Sequence, residues 1–198
     1  MQISDTDMLA QRAFRRLLQA MSRPGKVYVL PPMPAAGSEP WSAMLLLLDS
    51  LLDQEVSFTV IGGNGSGELQ LLIAGRTRCR ATDIRQADFL VVAYGDSAGE
   101  ILRAKRGTLQ YPDRSATVVF GVQSLLFTED RQSTIALTGP GIREEVLLGP
   151  IKGLGPHEME HLRELNSEFP LGVDVVFIDA MGRVLCIPRS TNIRIMEH

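Results

Sequence analysis

The stretch VDVVFIDAMGRVLCIP, Val173 to Pro188, decides the fold. Two apolar runs, VDVVFID and RVLCIP, flank Ala180-Met181-Gly182. β-Branched and aromatic side chains suit a pleated, buried surface, and a short glycine-containing link closes two such runs into a hairpin. The first run carries Asp174 inside it and Asp179 at its end. Side chains in a strand alternate between faces, and five residues at ~3.3 Å each put these carboxylates about 16 Å apart, so they do not form one acid/base dyad. Asp179 is expected to start the DAMG turn. Asp174, among Val173, Val175 and Val176, is costly to bury unless it accepts hydrogen bonds or pairs with arginine. Arg189, just past the second run, is the candidate partner.

Working outward, FLVVAYG, ATVVFGV and STIALTG are further short apolar runs. The charged SAGEILRAKRG between the first two predicts a crossover helix. DTDMLAQRAFRRLLQAMS has a helical apolar period, with N-cap candidates at Asp5 to Asp7 and a stop at Arg23-Pro24-Gly25. KVYVL is extended, PPMPAAGSEP is a stiff loop, and SAMLLLLDSLLD is a buried helix capped by Ser42. VSFTVIG and ELQLLIAG, on either side of GGNGSG, read as a hairpin. PHEMEHLRELN is a helix with Pro156 near its first position. Helices intermixed with apolar strands imply an α/β protein, a three-layer α/β/α sandwich with a mixed sheet. At 198 residues the expectation is a single domain, 1–198.

With a formal charge of -3, the chain has no global attraction for nucleic acid or an anionic membrane, so neither is an expected partner. Cys79 and Cys186 form no C-x-x-C pattern, which argues for a reduced, cytoplasmic protein. The opening MQISDTDMLAQRAF lacks the apolar core of a secretory signal, and no run approaches the ~18 apolar residues of a membrane span.

His157-Glu158-Met159-Glu160-His161 matches H-E-x-x-H, which on a helix sets two imidazoles one turn apart with a glutamate able to activate metal-bound water. No third ligand is evident downstream, and the first histidine stands in the opening turn beside Pro156. The pattern fits a solvated surface helix better, its acidic groups near the N-terminus, and no metal is expected. LTGPGI, Leu137 to Ile142, could offer backbone N-H groups to an anion, but Pro140 removes a donor and glycine-driven turning explains the segment as well. GGNGSG is a poor phosphate loop if it leads into a strand. Arg76, Arg78 and Arg80 alternate in GRTRCRA, which fits an exposed edge strand protected by charge, or a stripe that meets an anion or another subunit. Of the three lysines, Lys152 in GPIKGLG is the least unsuitable for a Schiff base, yet its surroundings read as a surface turn.

Three blocks together resemble one family: FRRLLQAMSRPGKV (Phe14 to Val27), LTGPGI, and NSEFPLGVDVVFIDAMGRVLCIPRST (Asn166 to Thr191). The chain is similar to PhnH, the H subunit of the bacterial carbon-phosphorus lyase core complex. The resemblance spans nearly the whole chain, and F-P-L-G-V-D with its closing P-R-S-T is its specific part. It implies phosphonate utilisation, with G, I and L subunits that displace adenine from ATP by a phosphonate to give ribose 1-phosphonate 5-triphosphate. It also implies contact with the J subunit, a homodimer when isolated, and an α/β/α fold akin to pyridoxal-phosphate transferases without their cofactor lysine. No cofactor is implied, no catalytic residue carries over, and activity of the isolated chain is not expected. Arg23, Gly139, Gly141, Asp174 and Arg189, all inside the matching blocks, are candidate ligand or interface positions. Each also has a plain structural use: a helix stop, two turns and one internal ion pair. Two other readings stay open, a zinc hydrolase using the HEMEH sequence and a small-ligand-binding or scaffold protein without chemistry.

Overall fold

The structure is a computed structural model that describes residues 5–32, 41–63, 65–127 and 134–196. Most of the PPMPAAGSEP loop, and Asn64 of the glycine-rich segment, lie outside the described residues, as do the side chains of the cap candidates Asp5 to Asp7. The elements in chain order are α1 (Asp5–Met21), β1 (Tyr28–Val29), α2 (Ser42–Asp49), β2 (Ser57–Ile61), α3 (Ser66–Thr77), β3 (Arg80–Ala81), β4 (Phe89–Val92), β5 (Thr117–Val122), β6 (Thr134–Thr138), β7 (Val146–Leu148), α4 (Glu158–Leu165), β8 (Asp174–Asp179), β9 (Arg183–Ile187) and β10 (Asn192–Met196). A seven-stranded sheet runs β1-β9-β8-β5-β4-β2-β3, and a smaller one runs β10-β6-β7. In the large sheet β8, β5, β4, β2 and β3 are parallel, and β9 runs against β8 and β1, so the sheet is mixed.

The parallel strands are buried on both faces, which is why they read as unbroken apolar runs instead of alternating ones. Along β5, Val118 and Phe120 point into one core and Val119 into the other; along β8, Val175 and Phe177 oppose Val176 and Ile178 in the same way. Phe120 and Phe177 are register partners and stack with centroids 5.3 Å apart. Such a pair contributes about 1 kcal/mol beyond its buried area.

One face carries α1, α2 and α3. The amphipathic α1 buries Ala13, Leu17 and Ala20 at spacings of four and three. Every residue of α2 from Ala43 to Leu48 is buried, as expected of a helix apolar on all sides and flanked by α1 and α3. The other face carries α4, a 3-10 turn at Glu100–Arg103 and the three-stranded sheet, through Ile101, Ile135, Leu137, Leu148, Leu162 and Ile193. The second outer layer is thus partly β, a refinement of the expected α/β/α sandwich.

Five local expectations need correction. ELQLLIAG is not the second arm of a hairpin: residues 66–77 are helical, and Leu69 and Ile73, one turn apart, are its buried positions. Its strand β2 pairs in parallel with β3, and a parallel pair needs a crossover that no tight turn supplies. The arginine stripe dissolves with it: Arg76 lies in α3, where it pairs with Asp49, Arg78 is the left-handed C-cap, and only Arg80 sits on the two-residue edge strand β3. SAGEILRAKRG forms one short 3-10 turn, not a crossover helix. The cap position of α2 is Trp41, at φ 68°, with Ser42 the first helical residue, and Pro156 precedes the cap residue His157 of α4.

Candidate functional site

The fold brings the three signature blocks to one corner. The helix stop Arg23-Pro24-Gly25 follows α1, and the Gly25 N-H donates to the Cys186 carbonyl on β9. Gly141, at φ +82°, lies so close that a β-carbon there would stand 2.6 Å from the Ser22 carbonyl oxygen and 3.0 Å from Pro24 Cδ. One at Gly139 (φ +130°) would stand 2.9 Å from the Ser190 carbonyl oxygen. The two glycines therefore fasten the G-P-G-I turn to the R-P-G stop on one side and to P-R-S-T on the other, and any larger residue would have to push backbone aside. Gly139 and Gly141 thus have a packing reason. Arg23 itself is exposed and has no side-chain partner among the described residues.

Asp174 and Arg189 form the ion pair that the burial argument requires. The Arg189 Nη2 is 2.6 Å from Asp174 Oδ2, Nε reaches Oδ1 at 3.3 Å, and the Arg189 backbone N-H donates to Oδ1 at 2.9 Å. The remaining arm of the guanidinium donates to the Pro112 carbonyl, so one arginine ties three segments together. The preceding turn is closed by Asn166, whose side-chain amide donates to the Val173 carbonyl at 3.1 Å and accepts from the Val173 N-H at 2.7 Å.

Beside this corner lies a cavity of about 370 Å³, lined by Arg163 and Asn166 at the end of α4, Ser167, and Arg189, Ser190 and Thr191 of the P-R-S-T turn. That turn is closed by the Thr191 N-H donating to the Pro188 carbonyl. Thr191 is 3% exposed, and its hydroxyl has no hydrogen-bond partner among the described residues.

A second cavity, about 270 Å³, opens at the carboxyl ends of β4, β5 and β8, between Trp41, Met44, Tyr94, Gln123, Gly153 and Asp179. The loops leaving β2 and β4 diverge to opposite faces, since α3 packs on one and the Glu100–Arg103 turn on the other, and open α/β sheets hold ligands at such a point. GGNGSG leads here into the N-terminus of α3, contrary to the expectation that removed it as a phosphate loop. Its space is nevertheless used: a β-carbon at Gly63 would stand 3.1 Å from the Tyr94 ring and one at Gly65 3.4 Å from Trp41, and those rings meet edge to face at 5.9 Å. Asp179, the only charged residue in the lining among the described residues, is 2% exposed and more than a turn starter. Its Oδ2 accepts from Arg183 Nε at 2.6 Å and from the Leu125 N-H at 3.0 Å, while Oδ1 accepts from the N-H groups of Met181 and Arg183. With both oxygens doubly engaged, it has no lone pair left for a substrate proton.

The HEMEH segment does not gather a metal site. His157 is the cap residue, at φ -106° and ψ 0°, outside the regular helix, and its ring centroid stands 6.4 Å from that of His161. No group of three His, Cys, Asp or Glu side chains able to hold a metal occurs among the described residues. The helix is not simply solvated, however: Glu158 is 1% exposed and accepts from the Ser97 N-H and hydroxyl, both at 2.7 Å. Lys152 is exposed, as its turn suggested, and no lysine lines either cavity. Burial, with Asp174 nearby as a second influence, raises the Cys186 thiol pKa, and burial raises that of Cys79 too, so neither is an activated nucleophile.

Arg163 and Thr191 were missed by sequence reasoning. Thr191 stood in the quoted P-R-S-T block, but nothing local shows that its hydroxyl would be buried without a partner.

Fold and corner together define an α/β protein whose signature residues build a backbone junction and a cationic cavity. The chain matches the profile of the family described as bacterial phosphonate metabolism protein (PhnH) over residues 2–194. It is 34% identical over 186 residues, 93% of its own length and 86% of the relative's, to a protein of Stutzerimonas stutzeri named provisionally as the C-P lyase subunit protein HtxG. It is 29% identical over 185 residues, with 93% and 90% covered, to the alpha-D-ribose 1-methylphosphonate 5-triphosphate synthase subunit PhnH of Rhizobium meliloti (strain 1021). The chain belongs to the PhnH family of bacterial phosphonate metabolism, and of these two relatives one is named as a C-P lyase subunit and the other as a synthase subunit.

Proposed function

We propose that this chain serves, as one domain, in the assembly that displaces adenine from ATP by a phosphonate to give ribose 1-phosphonate 5-triphosphate. The observation that carries this reading is the match along nearly the whole chain to a family whose Rhizobium meliloti relative is named as a subunit of such a synthase. Its partners are the G, I and J subunits, its place is the cytoplasm, and alone it is an inactive homodimer. The carboxylates of Asp174, Asp179 and Glu158 are engaged in internal bonds, a structural use compatible with a subunit role. No helix among the described residues is long and apolar enough to cross a membrane. The likeness to pyridoxal-phosphate transferases belongs to the same reading, and the lysine placement gives that cofactor no anchor in either cavity.

The test is co-expression of the tagged chain with the G, I and J subunits, followed by an assay with ATP and methylphosphonate in the presence of the L subunit. Stoichiometric co-purification, with adenine release that disappears when this chain is omitted, is the expected result. Failure to co-purify, with adenine release unchanged by omission, overturns the reading.

A further inference from the structure

We propose that the cavity between the end of α4 and the P-R-S-T turn binds the tetrahedral oxyanion of a small phosphate or phosphonate, held by Arg163, Arg189 and the Thr191 hydroxyl.

Among the described residues, the lining contains two guanidinium groups and no carboxylate. Arg189 is fixed in position by Asp174 and the Pro112 carbonyl, so its orientation is set before a ligand arrives. Its charge is largely offset by Asp174, and the uncompensated positive charge is that of Arg163, which is exposed and has no partner among the described residues. The carboxyl end of α4 would by itself oppose an anion. Its carbonyls are already capped: Leu165 O accepts from Arg106 Nε, Glu164 O from the Ser167 hydroxyl and Leu162 O from the Asn166 N-H.

Thr191 is the independent observation. A buried hydroxyl without a partner is destabilising, and native interiors retain few of them. This one belongs to a residue that lines the cavity, its oxygen closed to solvent in the free protein, and an acceptor oxygen bound there would satisfy it once the turn opens to it. Donors spread over a helix and a turn suit a tetrahedral group better than a planar one. Phe169, 67% exposed at the rim, supplies an apolar wall for whatever substituent the group carries. The cavity also exceeds the size of a bare phosphate. The choice of phosphorus ligands rests on the phosphonate reading above; the cavity and its orphan hydroxyl do not.

Isothermal titration of the full chain with inorganic phosphate, methylphosphonate and ATP, each alone, tests the site and separates its sources. Saturable binding of at least one is expected, and the one bound most tightly names the source. Arg163→Ala, at an exposed position, should weaken that binding about tenfold, the value of one charge-assisted hydrogen bond. Thr191→Val should weaken it by a similar factor while leaving the unfolding temperature unchanged or raised, because it removes a hydroxyl that has nothing to lose in the free protein. A purely structural threonine would not show that opposition of signs. Absence of binding with all three ligands overturns the site, as does wild-type binding by either variant. Intact co-purification with the G, I and J subunits in that event leaves the assembly role standing.

Discussion

The two ends of β8 each carry an aspartate paired with an arginine from the β9 side of the hairpin, and the two pairs differ in reach. Asp179 and Arg183 are four residues apart; their bond, with the N-H groups of Leu125, Met181 and Arg183, closes a turn under the aromatic crevice. The Asp179 side chain is 0% exposed. Asp174 and Arg189 are fifteen residues apart, each side chain 19% exposed, and Arg189 goes on to the Pro112 carbonyl and to the wall of the polar cavity. The first pair is local and its carboxylate sealed, though Arg183 is 18% exposed, and it serves the backbone around it. The second is distant, with both partners partly open, and holds a cation at a surface where a ligand can meet it. Equal residue types on one strand thus have unequal uses, decided by what surrounds them.

Asp179→Ala should break the sealed pair with the larger effect. Removing one partner leaves Arg183 and three N-H groups without their acceptor, so urea unfolding should show a loss of about 3–5 kcal/mol. Asp174→Ala should cost less, about 2 kcal/mol by the same measurement, since water reaches both partners. A loss for Asp174→Ala equal to that for Asp179→Ala would erase the distinction drawn here.

A third pair sharpens the contrast by titration. Asp88, at the amino end of β4, bonds to Lys105 and to the hydroxyl and N-H of Ser57. Burial pushes its carboxyl pKa up, but the Lys105 and Ser57 bonds outweigh that and hold it below the ordinary 3.8. A folded pKa below the unfolded one means that the stabilisation is complete above the ordinary value and lost as pH falls through the lower one. Thermal unfolding between about pH 2 and pH 5 should therefore decline less steeply for Asp88→Asn than for the wild type. The effect is the smallest of the three, because the side chain is 37% exposed and solvent screens it.

Much of the scaffold was legible because its strands are apolar without interruption and its helices repeat properly. The runs at 89–92, 117–122, 134–138 and the closing hairpin announced themselves through valine, isoleucine and phenylalanine. LQLLIA was misread because its apolar residues satisfy both a two-residue and a four-residue period, and only the parallel partner β3 decides between them. Asn192 and Arg194 alternate with the buried Ile193 in β10, a strand signal that was present and unread. The Asp174–Arg189 bond followed from the cost of burying a lone carboxylate. The placing of Arg163 and Thr191 around one cavity did not, since it depends on β10 joining β6 and carrying the P-R-S-T turn toward the end of α4.

The backbone contacts at Gly139 and Gly141 have a mechanical consequence. Where main chain touches main chain there is no side chain to rotate out of the way, so the loops on either side of β6 and β10 cannot slide past the end of α1. The corner is therefore a close backbone junction, where a side chain added at either glycine would have to displace main chain.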